Sequence, residues 1–257
     1  MSYEIYALKY AHHARRASEN FIGGDPHDGP MPLDYFVWLI RGEGREIVVD
    51  TGFSAAMAAK RGRDHLRCPT EALRLLACEA SSVKDVVITH LHYDHVGNFD
   101  LFPAATYHLQ DLEMNYATGR HMAQPVFRGA FDVEDVVGMV RNTYAGRVKF
   151  HDGDAQVAPG VSVHLIGGHT MGLQVVRVAT RRGWVVLASD ASHFYANMEE
   201  ARPFPIVYNV ADMVEGYARL RSLAESPAHI IPGHDPLVLE RYPAPSKALQ
   251  GIVARLD

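Results

Sequence analysis

His90-Leu91-His92-Tyr93-Asp94-His95 places three imidazoles and a carboxylate within six residues. Imidazole nitrogen is the commonest metal ligand and carboxylate oxygen the commonest hard partner, so a segment this dense in both can serve two neighbouring metal ions. An isolated histidine usually settles as a hydrogen-bonded core or surface residue, and His108, His121, His151 and His164 are read that way. Packing does not explain the density at 90–95. The hexapeptide follows the apolar run Val86-Val87-Ile88, which has the character of a buried strand. Alternation along such a strand sends His90 and His92 to one face, while Asp94 and His95 lie where the chain turns and can reach a second ion.

The elements that position this segment follow from periodicity and turn chemistry. Ile5 to Lys9 alternates as a first strand, and a Gly/Pro-rich loop surrounds Gly23 to Pro30. Tyr35 to Arg41 and Glu46 to Val49 form two strands joined by a hairpin turn at Gly42-Glu43-Gly44, the second ending at Asp50-Thr51-Gly52. Thr70, with Glu71, predicts the N-cap of a helix carrying Ala72, Leu75, Leu76 and Cys78. The strand Val86 to Thr89 then delivers the hexapeptide. Thr106 to Leu109 is a further strand, and 111–144 has mixed helical character. Strands return from Val148 onward: Val161 to Ile166, Leu173 to Ala179 and Trp184 to Ala188, with Gly183 in a turn. Asn209 caps a helix through Leu223, Ile230-Ile231 is a last strand end, and Pro245-Ser246 opens a final helix.

With 257 residues and 47% hydrophobic content, the chain is read as one globular domain, 1–257. The net charge of −5 disfavours a generic binder of nucleic acid or anionic membrane and points to small-molecule partners. Two cysteines, Cys68 and Cys78, cannot build a disulfide framework. The N-terminus shows no basic-then-apolar leader, and no apolar stretch approaches the roughly 20 residues of a membrane span. A soluble, cytoplasmic protein is expected. G-x-S-x-G is absent, so water rather than a side chain is the expected nucleophile.

The hexapeptide reads as H-x-H-x-D-H, and the chain resembles the metallo-β-lactamase superfamily over essentially its whole length. The resemblance implies an α+β fold, the four-layer αβ/βα sandwich. It also implies a complete ligand set: His90, His92 and His169 for one metal, Asp94, His95 and His234 for the other, and Asp190 bridging. Glycines beside His169 and His234 fit a close backbone approach there. Asp50 resembles the family's aspartate that orients a ligand histidine through its other ring nitrogen. Imidazoles and carboxylates without a thiolate suit two zinc ions best and accept other divalent metals. The implied chemistry is hydrolysis by a metal-bridging hydroxide, with Asp94 passing a proton to the leaving alkoxide.

Within the superfamily, chain length, the N-terminal loop and Ser-Asp-Ala-Ser-His-Phe-Tyr around Asp190 look most like the quorum-quenching N-acyl-homoserine lactonase group, which includes 4-pyridoxolactonase-like enzymes. That implies a lactone substrate and is compatible with a homodimer. A glyoxalase II-type thioester hydrolase is the alternative, disfavoured by a C-terminal segment whose basic residues are only Lys247 and Arg255. His193 stands where familiar homoserine lactonases place a substrate-polarising tyrosine, and the nearest tyrosine is Tyr195, so either is a candidate donor. Phe21, Met31, Tyr35, Met114, Tyr116, Met122 and Phe127 are candidate pocket residues, and Arg120 and His121 are candidate partners for a substrate carboxylate.

Overall fold

In the computed structural model, which describes residues 2–257, thirteen strands appear in chain order. They are β1 (Glu4–His13), β2 (Leu33–Gly42), β3 (Arg45–Val49), β4 (Asp64–His65), β5 (Asp85–Val87), β6 (Thr106–Gln110), β7 (Val148–His151), β8 (Ala155–Ala158), β9 (Val161–Leu165), β10 (Gln174–Thr180), β11 (Gly183–Ser189), β12 (Ile230–Pro232) and β13 (Val253–Arg255). The first sheet has the order β13-β1-β2-β3-β5-β6-β7, with β4 against β1; the second has the order β12-β11-β10-β9-β8. Pairing is parallel from β3 through β7 and between β11 and β12, and antiparallel elsewhere.

Helices cover the outer faces: α1 (Ala55–Arg61), α2 (Pro69–Arg74), α3 (Tyr93–Val96), α4 (Asp111–Thr118), α5 (Pro125–Arg128), α6 (Val133–Tyr144), α7 (Tyr195–Glu199), α8 (Val210–Leu223) and α9 (Leu237–Arg241). The layering can be read along β2. Phe36, Trp38 and Ile40 join a core that includes Val163, Val175 and Val185 of the second sheet, whereas Tyr35, Val37 and Leu39 pack with Ala58, Leu73 and Met139 of α1, α2 and α6. A strand buried on both faces loses its polar alternation, which is why β2 reads as a continuous apolar run. On the far side, α8 contributes Met213, Tyr217 and Leu220, spaced by four and three residues on one helical face. The architecture is the four-layer αβ/βα sandwich expected. No helix among the described residues is long and apolar enough to cross a membrane.

Several boundaries differ from expectation, each for a local reason. The β2–β3 hairpin turns on Glu43 and Gly44, both at positive φ (53° and 70°), the pairing a two-residue type I′ turn requires. Helix α2 begins at Pro69 with Cys68 at the N-cap, two residues ahead of the expected Thr70; Glu71 still accepts from the Cys68 N–H at 3.0 Å. Strand β5 ends at Val87 because the Thr89 N–H turns to the Asp50 carboxylate at 2.7 Å. Pro245-Ser246 opens no α-helix: a 3-10 turn at Lys247–Leu249 leads into β13, which closes the edge of the first sheet against β1.

Candidate metal centre

The expected ligands gather at one end of the two sheets, each at the end of a strand or in the loop beyond it. Asp50 follows β3, His90 to His95 follow β5, His169 lies between β9 and β10, Asp190 follows β11, and His234 follows β12. Asp50 and Ser189 both hold positive φ (59° and 46°), an unfavourable conformation that persists where surrounding contacts over-determine it. Those contacts are mutual: Thr89 Oγ1 is 2.8 Å from Asp50 Oδ2 and 2.9 Å from Ser189 Oγ. Gly233 is required by closeness, since a Cβ there would meet Ser189 C and O at 2.8 Å and Asp190 Oδ1 at 2.9 Å. At Gly168 (φ 81°) a Cβ would meet the α8 backbone at Met213, 2.6 Å away.

Two donor groups result. In the first, His92 Nδ1 lies 3.0 Å from both His90 Nε2 and His169 Nε2, and Asp190 Oδ2 lies 3.7 Å from His90 Nε2 and 3.2 Å from His169 Nε2. In the second, His95 Nε2 and His234 Nε2 approach Asp94 Oδ2 at 3.6 and 3.9 Å, and they approach the other Asp190 oxygen at 3.3 and 2.9 Å. Asp190 therefore offers one oxygen to each group. All seven residues are buried except Asp94, which is partly open to the cavity.

The far nitrogens of four imidazoles are engaged, which aims their Nε2 atoms inward. His95 Nδ1 meets Asp50 Oδ2 at 2.7 Å, His90 Nδ1 meets Thr89 Oγ1 at 3.1 Å, His169 Nδ1 meets the Ile206 carbonyl at 2.7 Å, and His234 Nδ1 meets the Asp34 carbonyl at 3.0 Å. A bonded Nδ1–H fixes the tautomer that leaves Nε2 as a lone pair. Burial, reinforced by the neighbouring imidazoles, pushes the pKa of His90 and His92 well below the usual histidine range and keeps both neutral. For Asp190 burial opposes the charge, but the imidazoles of His193, His234, His95 and His169 outweigh it and hold the carboxyl well below its ordinary value. His95 Nε2 is buried without a hydrogen-bond partner. Lone pairs aimed at one another, two carboxylates and an orphaned nitrogen fit bound metal cations.

Glu113 of α4 went unremarked in the sequence. Its buried carboxylate accepts from Leu91 N at 2.8 Å, Thr170 Oγ1 at 2.6 Å and Gly172 N at 3.1 Å, tying the hexapeptide to the His169 loop. A second acidic residue in the first turn of a helix reads as ordinary helix chemistry and carries no sequence signal for this; only the segments that it joins reveal it.

Above the ligands lies a cavity of about 180 Å3, lined by His92, Asp94, His169, Asp190, His193 and His234 and walled by Leu33, Phe204, Ile206, Tyr35, Tyr93, Arg15, Arg61 and Arg63. His193 reaches it: its Nε2 is 3.0 Å from Asp190 Oδ2 and its ring stacks on Phe204 at 3.7 Å. Tyr195 does not. It begins α7, is covered by Arg241 at 3.8 Å, and faces a separate hollow with Tyr242 and Arg182, because the chain turns into the helix there, with the Tyr195 N–H donating to Asp235 Oδ2 at 3.0 Å. Of the candidate pocket residues, only Tyr35 lines the cavity. Phe21 lies under Arg202, Met31 packs with Leu33 and Phe204, and Tyr116, His121 and Phe127 pack edge-on or tilted against Tyr208. Met114 packs into the helix-side core, and Met122 borders a neighbouring apolar groove with Phe131 and Val136. Arg120 is exposed and outside the cavity. His108 and His151 pair with each other 3.0 Å apart, and His164 pairs with Asp154, away from the centre.

The long N-terminal loop contributes Arg15 to the cavity wall and is stitched to α7 and the segment after it. Ile22 N donates to the Pro203 carbonyl at 2.9 Å, Arg202 reaches the Gly24 carbonyl at 2.7 Å and the Asp25 carboxylate at 3.0 Å, and Asn197 donates to the Asn20 carbonyl at 3.1 Å.

The chain belongs to the metallo-beta-lactamase superfamily, whose family model matches residues 31–234. Among characterised relatives, the chain is 30% identical over 173 residues to the N-acyl homoserine lactonase AttM of Rhizobium johnstonii, covering 65% of this chain and 63% of that one. It is 28% identical over 233 residues to AttM of Rhizobium radiobacter, covering 83% and 85%. The match spans just under two thirds of the first relative. A solved N-acyl homoserine lactone hydrolase with N-hexanoyl-L-homoserine at its catalytic metal centre superposes with a TM-score of 0.75 over 91% of this chain and 94% of that one, at 22% identity.

Proposed function

We propose that this chain is a hydrolase that opens a lactone or similar small cyclic ester with two divalent ions, zinc being the ion its donors suit best. One ion is assigned to His90, His92 and His169, the other to Asp94, His95 and His234, with Asp190 shared. The observation that carries the reading is the convergence of seven donors on the cavity floor in two groups that meet at the two oxygens of Asp190. The names of the relatives support the substrate class, and opening a homoserine lactone would quench quorum signalling.

Bound there, the ions supply Lewis acidity and a water acidic enough to attack at neutral pH. The chain's own residues do the rest. Asp50, Thr89 and the carbonyls of Ile206 and Asp34 hold the imidazoles in one tautomer, so no reorganisation accompanies the reaction. His193 donates to Asp190 and steadies it. Tyr93 supplies the phenol that Tyr195 cannot. Burial raises its pKa, so it keeps its proton; its oxygen accepts from Arg63 Nε at 3.3 Å and lies 3.4 Å from the Tyr35 hydroxyl, and with Tyr35 as the donor of that pair the Tyr93 O–H is left to the substrate carbonyl. Asp94, partly open to the cavity, takes up the proton released by the attacking water and hands it to the ring oxygen as the acyl C–O bond breaks.

The test combines metal analysis with pH-stat assay of a γ-lactone panel beside S-lactoylglutathione. Two equivalents of metal and proton release from lactones are expected. Thioester turnover without lactone opening would overturn the assignment.

A further inference from the structure

The three arginines on the cavity wall are out of keeping with an acidic chain that meets a neutral acyl lactone. Arg16, Arg41, Arg74, Arg202, Arg219 and Arg255 are each ion-paired with carboxylates elsewhere on the molecule. Arg15, Arg61 and Arg63 are half-buried, and among the described residues none has a carboxylate within 4.0 Å; their partners are neutral. Arg61 is committed to the wall itself. It donates to the carbonyls of Gly129 and Phe131, both at 3.0 Å, and lies 3.8 Å over the Tyr93 ring.

The other two are anchored but not consumed. Arg63 uses Nε on the Tyr93 phenol and Nη1 on the Arg61 carbonyl at 2.6 Å, and makes no hydrogen bond through Nη2. Arg15 uses Nε on Asn20 at 2.8 Å and Nη2 on the Glu19 carbonyl at 2.6 Å, and makes none through Nη1. Each guanidinium is thus pre-oriented by neutral acceptors with a donor edge to spare. Like charges held together, half out of water and with no carboxylate in contact, are an arrangement that an anion relieves.

Resting on the lactonase reading, we propose that the substrate carries a carboxylate beside its scissile ring, held by the free edges of Arg63 and Arg15. Arginine binds a planar carboxylate with charge-assisted hydrogen bonds that a neutral analogue cannot replace. The reactive ester itself stays neutral until it opens, so the pre-existing carboxylate orients the ring before chemistry begins.

The test uses zinc-loaded full-length protein and two γ-lactones identical except that one bears a ring carboxylate and the other its carboxamide. Wild type is expected to favour the carboxylate by about 10-fold or more in kcat/KM, expressed mainly in KM. Arg63→Met and Arg15→Met, on separate segments, are each expected to shrink that ratio, with Arg63→Lys intermediate. Melting temperatures establish that each variant is folded. Independently of turnover, succinate binding measured calorimetrically on zinc-free and zinc-loaded protein is expected to weaken about 10-fold in Arg63→Met. Equal turnover of both lactones, unmoved by either variant, would overturn the carboxylate site while leaving the lactonase intact. Arg63-dependent succinate binding with neither lactone opened would leave the anion site standing and sink the lactonase reading. Inorganic phosphate binding more tightly than succinate in the zinc-free protein would also overturn the carboxylate assignment.

Discussion

Replacing Asp50 by Asn isolates what the buried aspartate does for a neighbour that would touch the metal. Asn tolerates the left-handed backbone at this position and has nearly the same shape, so the perturbation is one of hydrogen-bond polarity. One oxygen can still accept from Thr89 N, now 2.7 Å from Oδ1. The new amide NH2 then takes the place of Oδ2, which sits 2.7 Å from His95 Nδ1 and 2.8 Å from Thr89 Oγ1. An NH2 cannot accept from Nδ1–H, so the imidazole moves its proton to Nε2, the atom facing Asp190 and Asp94. The lone pair meant for the metal is thereby masked. Loss of such an orienting partner costs about 10- to 100-fold in metal affinity, or about 1.4–2.7 kcal/mol. Metal-free stability should change by less, because burial already raises the Asp50 carboxyl pKa against the pull of His95 and Thr89, and a neutral amide removes that strain. Zinc titration against a chromophoric chelator should show one weakened equivalent, that of the His95 group, and one near wild type. Wild-type affinity at both equivalents would refute the tautomer argument.

Glu113→Gln leaves one acceptor where three donors converge, so kcat should fall and metal-free stability should drop by about 1–3 kcal/mol, measurable by urea melts. Gly233→Ala pushes a methyl into Ser189 and Asp190, and should cost about 1–3 kcal/mol while lowering zinc content, checked by emission spectrometry. Asp135 is buried with one carboxylate oxygen unpartnered, and burial, reinforced by Asp132, raises its pKa to about 7. Its folded value lies above the unfolded one of roughly 3.9, so its charge costs stability progressively as pH climbs from about 4 to 7. Asp135→Asn should therefore add about 1–2 kcal/mol at pH 8, after discounting for partial exposure, and nothing near pH 4; an equal gain at both would contradict the burial argument.

The site proved more legible than its surroundings. The hexapeptide and the strand-end residues His169, Asp190 and His234 announce themselves because metal ligands need particular residue types, and Asp50 is marked by its place at the end of β3. Strands β2, β3 and β9 to β11 are legible for a related reason, being runs of apolar or alternating residues between turn signals. β13 is three residues long and exists only because β1 offers an edge, so no local pattern predicts it. Tyr195 illustrates the remaining gap: residue type and proximity in sequence made it a candidate, but the direction of a side chain after a sharp turn is set by tertiary packing. The cavity arginines were overlooked because scattered cations at 15, 61 and 63 are indistinguishable from surface charge until the fold gathers them.

The stitching of the N-terminal loop to residues 197–203 joins chain positions nearly 180 apart into one collar beside the cavity, which takes its own lining from Arg15 and Phe204 at the flanks. As a unit of inheritance, that collar has two genetic halves. Grafting residues 14–32 from a relative would import half a collar without its fasteners, whereas exchanging 14–32 together with 194–206 transfers the collar whole. The two segments are therefore expected to tolerate exchange only as a pair, leaving the donors on the cavity floor undisturbed.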